Sequence, residues 1–276
     1  MIEIPLFQGF SLKMNGVPLN RKEYPTAYLQ KGLILLDHGM ELDEEGVGFG
    51  VPLLKRGLNT IFPGSVELTL QQEESTYIVY AYFKLNLVEK ISAGQNELVE
   101  NRWLYGVKNL LAATIRRLPI SRGLLTFTSS KLRKMFNWET TYSFTDFSEI
   151  VKIEYRIEFG TGKVAIKVDA SNLRPEVTEV VVMNEQGARA FDRYTDTSGT
   201  TLEGDEIGCW DEVNGEKAWF TSSKHKVSFK LGQIKGARLF RGRELVGNRL
   251  AWAGFGYSFP SSIKYIQYEI EIEETR

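Results

Sequence analysis

Cysteine is nearly absent: among 276 residues only Cys209 occurs, so no internal disulfide can staple the chain and no cysteine-based zinc site can form. Histidine is almost as scarce, with only His38 and His225. No apolar run approaches the ~20 residues needed to cross a bilayer as a helix. Met1 to Phe10 lacks the basic stretch and apolar core of an export signal. These absences lead to the expectation of a cytoplasmic protein with no membrane association. Positive charge is not in excess either: 34 Lys and Arg stand against 35 Asp and Glu, a net charge of -1. That argues against a nucleic-acid partner, because phosphate neutralisation calls for a basic surplus. The short run Gly160-Thr161-Gly162-Lys163 lacks the spacing and the Ser or Thr of a phosphate loop, and no Gly-x-Ser-x-Gly nucleophile elbow occurs.

What the chain does have is a two-residue rhythm. Val151, Ile153, Tyr155, Ile157 and Phe159 alternate with Lys152, Glu154, Arg156 and Glu158. After the turn 160–162, Val164, Ile166 and Val168 alternate with Lys163, Lys167 and Asp169. One face apolar and one charged predicts an antiparallel hairpin lying on a core. A second hairpin is expected from Val66, Leu68 and Leu70 through Gln71–Ser75 into the Tyr-, Val- and Phe-rich run Thr76–Val88. Further strands are predicted at 124–128, 138–144, 177–183, 188–194, 206–210, 217–221, 227–231, 252–258 and 263–272. Residues 1–64 are dense in glycine and predict short strands and turns.

One tract has a different period. From Asn96 to Leu118, Val99, Trp103, Val107, Leu110, Leu111 and Leu118 share one side at helical spacing. Asn96 can cap the start, Glu97 and Glu100 suit the first turn, Arg116 and Arg117 the last, and Pro119 ends the run. The expected fold is therefore all-β: a large antiparallel β-sandwich with one long helix at 96–118, in a single domain 1–276, or with a break near 120–124 if there are two. In outline this layout is similar to the supersandwich of galactose-mutarotase-type proteins. A concave sheet face open to a polar ligand is what such a layout implies.

Charge is segregated late in the chain. From Asp192 to Glu216 eight acids meet one base, and from Lys224 to Arg249 eight Lys and Arg meet one acid. Either the two blocks pair with each other or they flank a groove. Aromatic rings interleave with the acids, a mixture suited to sugars: flat rings cover the C–H face of a pyranose while carboxylates hold its hydroxyls. The candidate binding residues are Trp210, Trp219, Arg241, Arg243 and Trp252. His38 and His225, which titrate near neutral pH, could act as acid or base with Asp205, Glu206 or Asp211 in an isomerase-like or glycoside-cleaving reaction. Asp196, Ser198, Glu203, Asp205 and Glu206 are oxygen ligands in principle, but they follow no EF-hand order. No metal and no cofactor is expected. The competing class is a non-catalytic binding or assembly module using an aromatic patch on a sandwich platform. Nothing in the sequence speaks to oligomeric state.

Overall fold

The computed structural model describes residues 1–16, 30–44, 46–57, 59–92, 140–246 and 250–275. By compactness the chain divides into two units, 1–87 with 146–276, and 88–145. In the first, strands β1 (Ile2–Phe7), β2 (Phe10–Met14), β3 (Ile34–Asp37) and β4 (Met40–Glu41) form a four-stranded antiparallel sheet in chain order. The remaining strands are β5 (Gly48–Arg56), β6 (Asn59–Glu73), β7 (Thr76–Ser92), β8 (Thr140–Glu158), β9 (Lys163–Asp169), β10 (Glu179–Gln186) and β11 (Arg193–Asp196). They continue with β12 (Thr201–Glu203), β13 (Asp211–Glu212), β14 (Lys217–Ser222), β15 (Val227–Gly232), β16 (Arg238–Val246), β17 (Leu250–Pro260) and β18 (Tyr265–Glu274). Together these make one 14-stranded sheet in the order β12-β11-β14-β15-β18-β9-β8-β7-β6-β5-β10-β17-β16-β13. Both of its ends are strands of two or three residues, too short to recruit a foreign strand readily.

The sheet packs against itself. The inward side of β14, β15, β18, β9 and β8 meets the inward side of β5, β10, β17 and β16. Tyr268 lies against Tyr257 at 4.6 Å between ring centres, Phe220 against Phe255 at 4.9 Å, and Phe229 against Phe49 at 5.2 Å. Three hydrogen bonds cross the same interior. Tyr155 donates to the Gly50 carbonyl at 2.8 Å, Tyr268 to Asn184 Oδ1 at 2.9 Å, and Tyr257 to the Gly232 carbonyl at 2.5 Å. Each satisfies a hydroxyl that would otherwise be costly to bury. Gly50, at φ 74°, is where the Tyr155 ring approaches the backbone, and a Cβ there would fall 2.6 Å from it. The small sheet adds Ile4, Leu6, Leu12 and Leu35 to this core. It is joined to the large one by the Leu33–Phe49 bridge and by Gln186, which accepts from Leu35 N and donates to the Leu33 carbonyl.

The hairpin expected around 151–169 is present, with Ile153 opposite Val168, Tyr155 opposite Ile166 and Ile157 opposite Val164. Phe159 is not in its core row: β8 ends at Glu158, and Phe159 lies in the turn, 54% exposed. The expected fold class needs correction. The large antiparallel sheets are there, but among the described residues no α-helix occurs, and the only helical turn is a short 3-10 segment, Gly204–Ile207. A covering helix is not required, because the second arm of the sheet and the four-stranded sheet bury the apolar face. The tract 96–118 itself lies outside the described residues, as does 124–128.

Candidate ligand-binding face

Residues paired across an antiparallel ladder point to the same side of the sheet. On β5, β10, β17 and β16, the side away from the core therefore carries Leu53, Val181, Ser258 and Arg238 in one row and Val51, Met183, Gly256 and Phe240 in the next. Its third row is Gly48, Glu185, Gly254 and Gly242. An outward face would ordinarily be polar; this one carries Leu53, Val181, Val51, Met183 and Phe240 beside Ser258, Arg238 and Glu185, and lacks side chains at four positions.

The missing side chains make room for two indoles. Trp210, just before β13, has a left-handed backbone at φ 60°, a conformation that costs a non-glycine residue about 1–3 kcal/mol. The Trp210 ring lies on Gly256, where a Cβ would come within 2.9 Å of it, and Trp252 lies on Gly242, where the distance would be 2.8 Å. The two rings stack on each other, 5.0 Å between centres and 18° between planes. Trp252 is 7% exposed, and Trp210 remains half-buried at the rim.

Beside Trp210 opens a groove of about 270 Å³, with Leu53, Val181, Met183 and Phe240 as its apolar wall and Lys55, Glu179, Arg238 and Ser258 as its polar one. Ser258 donates to Glu179, Arg238 stands 3.8 Å from the same carboxylate and over the Phe240 ring, and Lys55 donates to Thr60. Glu185 lies on this side of β10 but is sealed in. Burial pushes its carboxyl up to about 7, against the Val47 N–H and the charge of Lys31, which favour ionisation.

The other residues singled out from the sequence lie elsewhere. Arg241 and Arg243 point to the core side of β16. Arg241 donates to the Ile207 carbonyl, pairs with Asp211 at 3.3 Å and covers the Tyr194 ring. Arg243 donates to the Ala188 carbonyl and reaches Asp205 at 3.5 Å. The acidic and basic blocks thus meet here, fastening the 3-10 segment to β16. Trp219 is on the opposite outward face, lining a hollow of about 280 Å³ with Lys230 and Glu273. Glu206 is exposed in the 3-10 segment. The oxygens of Asp196 are taken up by the protein: Oδ1 accepts from Ser198 and Thr200 and Oδ2 from Tyr194. Burial opposes its ionisation, but these bonds outweigh it and hold the carboxyl below its ordinary value.

The two histidines do converge, on an acid that the sequence reading did not single out. His38 Nδ1 is 2.6 Å from one oxygen of Asp37, and His225 Nδ1 is 2.8 Å from the other. The His38 ring is exposed and the His225 ring covered, 79% against 6%. Burial raises the Asp37 carboxyl, yet the bonds from His225 and His38 leave it below its ordinary value. This cluster ties the β3–β4 turn to the β14–β15 turn and lines neither the indole groove nor the Trp219 hollow.

Sequence reasoning placed Trp210 and Trp252 in a site but missed Leu53, Lys55, Glu179, Val181, Met183, Arg238, Phe240 and Ser258. Two signals were available. Val180-Val181-Val182-Met183 is apolar at successive positions, the mark of a strand covered on both sides. Gly254 and Gly256 alternate with Ala253, Phe255 and Tyr257, which marks a strand face where something else lies close.

Neither a family model nor a curated protein matches this chain. Among solved structures it is similar to one described as the crystal structure analysis of HI1317, at 6% identity, with 96% of this chain and 93% of that chain covered and a TM-score of 0.37. This is too distant a likeness to bear on function, which must be read from the chain's own residues.

Proposed function

We propose that the outward face of β5, β10, β17 and β16 binds carbohydrate, and that it does so as a binding surface without a catalytic step. The observation that supports this reading is Trp210, seated on Gly256 and backed by the buried Trp252, at the rim of a groove whose other wall holds a carboxylate, a hydroxyl and a guanidinium. A pyranose presents the complementary surfaces: a C–H face for Trp210 or Phe240, and hydroxyls for Glu179, Arg238 and Ser258. Glu179 is the one carboxylate among the described residues lining the groove, so two-carboxylate chemistry has no second acid there, and Lys55, the lysine of the same wall, is held by Thr60. The histidine pair on Asp37 serves a different contact. Thermal-shift screening of mono- and oligosaccharides tests the proposal: a ligand at ~100 times its dissociation constant adds about 2.7 kcal/mol of stability. A flat response across the panel would count against it.

A further inference from the structure

The indole groove does not end at Glu179 and Arg238. A second hollow, of about 640 Å³, shares Glu179, Arg238 and Ser258 with the first and continues to Thr178, Gly236 and Pro260. With three lining residues in common, the two hollows form one trough along the strand direction. From Met183 beside Trp210 to Thr178 just before β10, the trough runs roughly 17 Å at the ~3.4 Å rise of an antiparallel strand. One sugar ring seated at Trp210 would leave most of it empty.

The two ends also differ in chemistry. At the indole end the walls are Leu53, Val181, Met183 and Phe240, a surface for the flat side of a ring. At the far end, Thr178, Gly236, Ala237, Phe259 and Pro260 line the hollow with small and apolar groups and one hydroxyl, and the charged groups Glu179 and Arg238 stand with Ser258 at the junction between the two. A chain of sugar units meets this pattern. Its first ring lies on the apolar wall, hydroxyls flanking the first linkage meet Glu179, Arg238 and Ser258, and later units continue over the wider hollow. Because the trough follows the strands, an extended chain fits better than a curled one.

Resting on the carbohydrate reading above, we infer that the ligand is a linear, extended oligosaccharide of two or more units, held across both hollows. The test is calorimetric titration of the full chain with length ladders, such as glucose, cellobiose and cellotetraose, and the corresponding mannose and galactose series. The expected result is that, in one series, affinity rises about tenfold or more from one unit to four. T178W and T178R, which crowd the far hollow from an exposed position, bring the tetramer-to-monomer ratio close to one, with unaltered melting as the folding control. Equal affinity at every length overturns the inference while leaving the sugar site standing, as does a ratio unchanged in both variants. Absence of binding by every series removes the carbohydrate reading, and this inference with it.

Discussion

The sandwich has two outward faces that follow opposite rules. On β9, β18, β15 and β14, lysine and glutamate face one another across the strands: Lys230 lies 2.5 Å from Glu271 and 3.4 Å from Glu273, and Lys217 and Lys163 reach Glu271 and Glu269. On β5, β10, β17 and β16, the corresponding positions carry Val51, Leu53, Val181, Met183, Phe240, Trp252 and the glycines beneath the indoles, with Lys55, Glu179, Arg238 and Ser258 gathered at one end. Acids record the difference. The Lys230 hydrogen bond holds Glu271 below its ordinary value despite partial burial, whereas burial drives Glu185 upward to about 7. A sheet needs only one apolar face to fold, so a second one, formed at the cost of a strained Trp210, points to a use beyond stability.

If the indole face is built in this way, disturbing it costs far more than disturbing the charged one. The largest effect is expected for Trp252→Ala, which removes a buried ring and the support of Trp210. Chemical denaturation should show a loss of about 3–5 kcal/mol, and a loss below 1 kcal/mol would mean that the stack carries little.

Next comes Glu185→Gln. A carboxyl near 4.5 when unfolded and near 7 when folded binds more protons in the native state between those values. Stability from this group is therefore complete below about pH 4.5 and disappears as pH rises through 7. The difference amounts to something on the order of 3 kcal/mol. Glu185→Gln, which stays neutral, should gain stability over the parent between pH 5 and 8, seen as two melting-temperature profiles that diverge toward alkaline pH. Parallel profiles would contradict the assignment.

Gly256→Ala places a Cβ within 2.9 Å of the Trp210 ring. It should cost about 1–3 kcal/mol by overpacking, and the near-ultraviolet circular dichroism of the indole pair should change with it. The smallest effect is expected on the other face. Lys230→Ala breaks partly exposed pairs and should stay within about 1 kcal/mol, shrinking further in high salt.

The same contrast explains what could be read from the sequence. Strands of the charged face were legible because polarity alternates with a period of two, so 151–159 (save Phe159, which lies in the turn) with 163–169, 217–221, 227–231 and 263–272 correspond to β8, β9, β14, β15 and β18. On the indole face, 177–183 and 252–258 were legible as β10 and β17, but the rest was harder. β16 escaped notice because Arg238, Arg241 and Arg243 read as a basic block, although Arg241 and Arg243 turn inward to hold carbonyls and acids. Residues 206–210 read as a strand, but Gly204, Gly208 and the left-handed Trp210 bend that segment into a 3-10 turn and a corner. The tryptophans drew attention by type alone; their glycine seats and the groove beside them depend on strands far apart in the chain. The meeting of His38 and His225 on Asp37 has the same origin, a contact between turns separated by most of the sequence.

Two surfaces thus compete for the role of ligand site: the indole face, to which binding is assigned, and the charged face with Trp219. The most direct measurement compares Trp210→Ala with Trp219→Ala in titrations against whichever oligosaccharide stabilises the parent in a thermal-shift panel. Binding should fall at least about tenfold, or ~1.4 kcal/mol, in Trp210→Ala and stay at the parental level in Trp219→Ala. Parental affinity in Trp210→Ala, or a loss confined to Trp219→Ala, would contradict the assignment to the indole face.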